Sequence, residues 1–117
     1  MITHYSFGKL IFKGTTYTKD LILLIKPDFE KIIYPWWRKE GHLLQEEDLE
    51  EVFAFQPKIL IVGKGANGVM QISSKVIDRA NKEGIQLEAY LTQEAIHRFN
   101  ELLKNGLAIA GAFHLTC

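Results

Sequence analysis

The chain has 117 residues, of which 47% are hydrophobic and 24% are charged, a composition typical of globular proteins with a buried core. This length predicts a single domain covering residues 1–117. Because 14 Lys and Arg residues balance 14 Asp and Glu residues, the charge predicts no binding of nucleic acid or of an anionic membrane. Neutral charge does little to keep copies apart, so we expect a monomer or a weak homodimer.

Cysteine content and hydropathy bear on the compartment. Cys117 is the only cysteine, so no disulfide within the chain is expected. The first ten residues have no basic segment followed by a long apolar core, and we therefore expect no signal peptide. The apolar runs are far shorter than the roughly 20 residues of a membrane span. These features predict a cytosolic protein.

The first third of the chain alternates apolar runs with turn residues. Lys9–Lys13 and Thr16–Thr18 flank Gly14 and predict an N-terminal β-hairpin. Leu21–Ile25 is continuously apolar, which is typical of a fully buried strand, and Lys31–Tyr34 predicts a further strand.

The other two thirds alternate helix and strand patterns after a loop at residues 36–45. Helices are expected where apolar residues share one face and caps such as Ser73 or Thr92 lie nearby. The predicted helices are Glu46–Phe55, Ser73–Glu83 and Thr92–Lys104. The predicted strands are Ile59–Val62, Ile85–Leu91 and Leu107–Phe113, the last with small residues that suit a central position. This order predicts a three-layer α/β fold, with a mixed, mostly parallel sheet of about five strands and helices on its faces.

A glycine loop follows the strand at Ile59–Val62, with the pattern Gly63-x-Gly65-x-x-Gly68. Such loops hold phosphate on backbone amides in dinucleotide-binding proteins. Here the helix does not begin at the third glycine, and Ile85–Leu91 has no carboxylate at its C-terminal end, so a nucleotide is not predicted. Two alternatives stay open: a structural turn, or a site for a small anionic ligand. The ligand-binding candidates are Gly63, Lys64, Gly65, Asn67 and Gly68.

A second candidate is the loop with the sequence WWRKEGH, residues 36–42. Trp and Arg side chains can stack on bases or hold an anion, but the neutral net charge argues against nucleic acid. Trp and Arg are also frequent at protein interfaces. In a structural alternative, one Trp fills the edge of the core while the basic residues face water. We predict partner binding through Trp36, Trp37, Arg38 and His42.

The end of the chain carries two residues, His114 and Cys117, whose side chains could take part in catalysis or bind a metal. His114 and Cys117 could form a nucleophile–base pair, but an extended strand would place their side chains on opposite sides. Cys117 could also act as a redox sensor if its thiol were exposed and acidified. The chain has no H-E-x-x-H, C-x-x-C, G-x-S-x-G or Walker pattern. We therefore predict no catalytic residue, no metal and no cofactor.

Several motifs together resemble a small family of uncharacterised proteins. They are Phe7-Gly8, the WWRKEGH loop, Gly63–Gly68, Thr92-x-Glu94-Ala95 and the ending Ala112–Cys117. The resemblance covers essentially the whole chain, and the family includes the adipogenesis-associated domain protein and a mitochondrial complex I assembly factor. It implies a compact three-layer fold and no agreed catalytic residue. The roles known in that family imply assembly or regulation through partner proteins.

The residues and the resemblance together predict a non-catalytic protein-binding, assembly or regulatory module. The alternative is a small-molecule binding protein or enzyme that holds an anionic ligand at Gly63–Gly68.

Overall fold

The computed structural model describes all residues from Met1 to Cys117. The strands are β1 (Ile2–Ser6), β2 (Lys9–Phe12), β3 (Thr15–Tyr17), β4 (Leu21–Lys26), β5 (Phe29–Ile33), β6 (Leu43–Leu44), β7 (Ile59–Lys64), β8 (Gln71–Ile72), β9 (Gln86–Tyr90) and β10 (Ile109–His114). The helices are α1 (Glu50–Phe55), α2 (Ser74–Lys82) and α3 (Thr92–Leu102), with 3₁₀ turns at Glu46–Leu49 and Leu103–Asn105. The fold class, α/β, is as predicted.

The main sheet has five strands in the order β5-β4-β10-β7-β9. Strand β10 pairs antiparallel with β4 and parallel with β7, while β4–β5 is antiparallel and β7–β9 parallel. The predicted mixed sheet is confirmed, but the prediction that it is mostly parallel is wrong. Two of the four pairs are antiparallel: a tight turn forces β5 antiparallel to β4, and β4 also runs antiparallel to β10. Asp28 adopts a positive φ of 63° in that turn.

Side chains alternate between the two faces of the sheet. From β7, Ile61 packs in a cluster with Phe99 of α3, whereas Val62 packs in a second cluster with Val76 of α2. The small residues of β10 lie in the central strand, as predicted. A Cβ atom on Gly111 would lie 2.6 Å from the ring of Phe113, so this position requires glycine.

The N-terminal hairpin of β2 and β3 is confirmed, and β1 extends it to a three-stranded antiparallel sheet. Strands β6 and β8 form a short parallel pair that was not predicted. The predicted cap Ser73 accepts a hydrogen bond from the Val76 amide at 3.4 Å. None of the helices combines the length and the apolar composition that a membrane crossing requires.

Candidate functional site

Both candidate loops lie at one edge of the main sheet. Strands β7 and β10 are parallel, so the glycine loop after β7 lies beside the end of β10. Strand β4 begins at that edge and β5 ends there, because β4 runs antiparallel to both β10 and β5. The Trp loop that follows β5 is therefore brought to the same edge. In open α/β sheets, ligands commonly bind beyond the carboxyl ends of parallel strands, at the point where the strand order reverses.

A carboxylate whose side chain is only 15% exposed lies at the centre of this edge. Asp20 precedes β4, and its Oδ2 atom is 2.7 Å from Arg38 Nη1 and 2.7 Å from His114 Nδ1. Its Oδ1 atom accepts a hydrogen bond from the Leu115 amide at 2.7 Å. Burial opposes ionisation, but the hydrogen bonds from His114, Leu115 and Arg38 outweigh it and lower the pKa of the Asp20 carboxyl. Asp20 is therefore ionised at neutral pH.

This ionised carboxylate fixes the tautomer of His114. Nδ1 must carry the hydrogen that it donates to Asp20, so it cannot also accept one from Arg38 Nη2, which lies 3.1 Å away. Arg38 and His114 therefore both donate to the Asp20 carboxylate. In the neutral imidazole, Nε2 then keeps its lone pair. Nε2 is buried and has no hydrogen-bond partner within the protein.

Arg38 also determines the shape of the Trp loop. Its Nε and Nη2 atoms donate to the Gly41 carbonyl at 3.2 and 2.8 Å, and its guanidinium lies 4.8 Å from the Trp36 ring centre. Trp36 Nε1 donates to the carbonyl of Asp48 at 3.0 Å. The loop is thus held by buried groups on both sides of Trp37.

The structure separates the four residues that were predicted to bind a partner. Trp36 is 5% exposed and the Arg38 side chain 4%, whereas Trp37 is 72% exposed. The structural alternative was right for Trp36, but Arg38 does not face water. His42 is exposed, and its ring centre lies 6.0 Å from that of His114.

A cleft of about 260 Å³ lies beside Trp37, with Lys19, Asp20 and Thr116 in its lining. Lys19 Nζ is 5.9 Å from the Trp37 ring centre. A larger cleft of about 510 Å³ lies elsewhere, at the start of α2. Its Arg79 is already paired with Glu46 and Glu83, so this cleft offers no unpaired buried group.

The predicted ligand-binding residues lie together around the end of β7, and the amides of their loop already have partners. The Ala66 amide donates to the Thr116 carbonyl at 2.6 Å. The Asn67 and Val69 amides both donate to the Cys117 carbonyl, at 3.1 and 3.2 Å. An anion at this loop would have to displace these two carbonyl groups. The anion site remains a prediction.

The glycines of this loop are required by close contacts. A Cβ atom on Gly65 would lie 2.2 Å from the backbone carbon of Cys117 and 2.9 Å from His114 Cδ2, and its φ is +104°. A Cβ atom on Gly63 would lie 2.9 Å from Thr92 Oγ1, and one on Gly68, whose φ is +70°, would lie 2.8 Å from the end of the Leu91 side chain. The chain folds back onto this loop, and side chains there would prevent it.

Thr92 has a role other than the predicted helix cap. It is fully buried, accepts a hydrogen bond from the Gly65 amide at 2.8 Å and donates to the His114 carbonyl at 2.6 Å. It therefore joins the glycine loop to β10.

The sequence did not predict a functional role for Asp20. The available signal was a lone carboxylate directly before a wholly apolar strand, Leu21–Ile25.

His114 and Cys117 do not form the nucleophile–base pair considered above, because no hydrogen bond joins the Cys117 thiol to the imidazole. The strand β10 ends at His114, and the residues after it continue without strand pairing.

The fold and this edge define a small α/β domain with a mixed five-stranded sheet. The family model described as "Protein of unknown function (DUF498/DUF598)" matches residues 2–114, and the chain belongs to this family.

Solved structures show the same fold. The conserved hypothetical protein PH1505 from Pyrococcus horikoshii OT3 is 22% identical, with a TM-score of 0.80 over 100% of this chain and 99% of that one. The protein MT938 is 27% identical, with a TM-score of 0.77 over 100% and 98% of the two chains. XCC1710 from Xanthomonas campestris is 20% identical, with a TM-score of 0.79 over 98% and 83%.

Proposed function

We propose that this protein is a non-catalytic protein-binding module, acting in assembly or regulation, whose partner contacts Trp37. The observation that carries the proposal is the 72% exposure of Trp37 between two residues, Trp36 and Arg38, that are almost fully buried. Exposed Trp residues that become buried on association supply much of the binding free energy at interfaces.

The rigid loop supports this role. Arg38 bonds both Asp20 and the Gly41 carbonyl, and these bonds restrain the backbone around Trp37. Binding to a preorganised loop avoids part of the entropy cost of association. Buried ion pairs often add little net stability over apolar residues of similar volume, so ordering the loop is a role that this pair can serve.

The surroundings of Trp37 indicate what a partner offers. Lys19 lies beside its ring and favours a partner with a carboxylate next to an apolar side chain. Phe7, 63% exposed, precedes Gly8, whose amide donates to the Leu115 carbonyl at 2.8 Å. This bond holds the β1–β2 turn at the same edge of the sheet as Trp37. Phe7 is therefore a second exposed apolar side chain at this edge.

The resemblance to proteins with roles in assembly and regulation supports the same proposal. A cytosolic location and a monomer or weak homodimer belong to it as expectations. Cell fractionation checks the first, and sedimentation of the purified protein checks the second.

The test is quantitative affinity capture with wild type, Trp37→Ala and Ile77→Ala. Ile77 is a matched control because it is also an exposed apolar residue, 48% accessible on α2. We expect a partner that is captured by wild type and Ile77→Ala and lost with Trp37→Ala, while all three proteins melt alike. Capture of the same proteins in equal amounts by Trp37→Ala would overturn the proposal.

A further inference from the structure

We infer that the glycine loop and His114 form a binding site for a small oxyanion such as inorganic phosphate, and that Thr116 and Cys117 of the same chain occupy it. This develops the anionic-ligand alternative. It uses residues other than Trp37, so it stands or falls separately from partner binding.

The loop amides have the arrangement of an anion site. Two of them, from Asn67 and Val69, converge on one oxygen of Cys117, and the neighbouring Ala66 amide donates to Thr116. Successive backbone N–H groups that point to one place form concave anion-binding sites in many proteins. A phosphate oxygen is a charged acceptor, and one phosphate has enough oxygens to accept from all three amides.

His114 provides the second, independent observation. The residue is 5% exposed, and its Nε2 atom has no hydrogen-bond partner. Nδ1 points to Asp20, whereas Cδ2, which is bonded to Nε2, lies on the opposite side of the ring. Cδ2 and the Cys117 backbone carbon both border the place where a Gly65 Cβ would lie, at 2.9 and 2.2 Å. The imidazole therefore borders the space that Cys117 fills.

The two parts fit one ligand. A monohydrogen phosphate has acceptor oxygens for the loop amides and a P–OH group that can donate to Nε2. The negative charge of Asp20 does not oppose it, because Arg38 neutralises that carboxylate at 2.7 Å. Lys64, at the end of β7, adds a positive charge next to the loop. Neither oxygen that now occupies the loop donates a hydrogen to Nε2.

Occupation by the chain itself makes binding depend on opening. When only the open state binds, the apparent dissociation constant equals the intrinsic constant divided by the open fraction. Consider a substitution that raises the fraction of molecules in which Thr116 and Cys117 have left the loop. It must lower the apparent dissociation constant for phosphate by the same factor.

The experiment uses the full-length double variant Thr116→Gly/Cys117→Gly, since glycine raises the entropy lost when this segment is ordered. Hydrogen exchange at the Ala66, Asn67 and Val69 amides gives the open fraction. Titration with inorganic phosphate at constant ionic strength, followed by the NMR shifts of the same amides, gives the affinity. Lys104→Gly, in the 3₁₀ turn after α3, is the control and should change neither quantity.

Relative to wild type, we expect the double variant to show a faster exchange rate and a higher phosphate affinity, both changed by the same factor. Faster exchange without tighter phosphate binding would overturn the inference, as would saturable shifts that avoid the three amides. If the double variant does not fold, Cys117→Gly alone applies the same comparison to the two amides that share the Cys117 carbonyl. A parallel titration with sodium chloride at equal ionic strength should leave the NMR shifts of these amides unchanged, which excludes a general salt effect.

Discussion

His114 Nδ1 lies 2.7 Å from Asp20 Oδ2, although the two residues are 94 positions apart in the sequence. This contact joins the residue before β4 to the last residue of β10. The same carboxylate binds Arg38 and the Leu115 amide, so one side chain orders the Trp loop and the end of the sheet together.

Replacing Asp20 by Asn should destabilise the protein. The change leaves Arg38 buried without its counter-ion, and breaking a buried pair from one side typically costs about 3 kcal/mol or more. Urea denaturation at neutral pH measures the loss. Asp78→Asn, at an exposed position on α2, is the matched control and should stay within about 0.5 kcal/mol of wild type. Equal losses in the two variants would show that the carboxylate does not support the fold.

The Asp20 contribution should also depend on pH with a definite sign. The carboxyl has a lower pKa in the folded protein than its ordinary value of 3.8. Its stabilisation is therefore complete above that value and is lost as the pH falls through the lower, folded value. We expect the stability difference between wild type and Asp20→Asn to be constant near neutrality and to narrow below about pH 4. A difference that grows in acid would contradict this account.

The adjacent residues Trp36 and Trp37 should respond oppositely to replacement by alanine. Trp36 is buried and donates to the Asp48 carbonyl, so Trp36→Ala should cost about 3–5 kcal/mol of unfolding free energy. Trp37→Ala removes a mostly exposed side chain and should change that free energy by less than about 0.5 kcal/mol. Chemical denaturation of the two variants side by side measures both. A large loss in Trp37→Ala would mean that its ring supports the fold, and the partner experiment would then need a milder substitution.

Local patterns were sufficient to predict most elements. The apolar run Leu21–Ile25 became β4, and the stripe that includes Ile96 and Phe99 became the buried face of α3. These signals are local, because burial on one face sets the period of apolar residues along the chain. Strand direction is not encoded in this way. The tight turn before Phe29 made β5 antiparallel to β4, and no local pattern shows that β4 also pairs antiparallel with β10.

The candidate site could be predicted only in part, because its contacts join distant segments. The WWRKEGH motif identified the correct loop, yet nothing in it distinguishes the buried Trp36 from the exposed Trp37. That difference arises from Asp48, whose carbonyl receives the indole hydrogen. Thr92 shows the same limit. It was predicted as a helix cap, but the close approach of Gly65 gives it another partner.

Gly65 should tolerate no side chain. Gly65→Ala places a methyl group against the Cys117 backbone and holds alanine at a φ of +104°. Gly14→Ala is a matched control, because Gly14 also has a positive φ, +80°, but a methyl group there would have no other atom within 4 Å. The control should lose about 1 kcal/mol from backbone strain alone. Gly65→Ala should lose clearly more, measured by thermal unfolding, and a loss equal to that of Gly14→Ala would remove the steric argument.

Glu88 and Arg98 form an ion pair. Arg98 Nε and Nη2 lie 2.8 and 3.1 Å from the two carboxylate oxygens of Glu88, and Tyr90 donates to the same carboxylate at 2.6 Å. The hydrogen bonds from Arg98, aided by Tyr90, lower the pKa of Glu88 from 4.5 to about 2. Arg98→Leu should return this pKa most of the way to its ordinary value. The NMR shift of the Glu88 carboxyl carbon during acid titration measures it.

The stability that this pair provides follows from the same values. Because the folded pKa is lowered, the contribution is complete above pH 4.5 and is lost progressively as the pH falls towards about 2. Wild type should therefore lose more stability across this interval than Arg98→Leu, measured by urea denaturation at several pH values. Arg79→Leu is the control, because Arg79 pairs with Glu83 rather than with Glu88, and it should leave the titration of Glu88 unchanged. Parallel stability curves for wild type and Arg98→Leu would show that Arg98 does not lower the pKa of Glu88 in the folded protein, since linkage requires any pKa difference between folded and unfolded states to appear as a pH-dependent free energy.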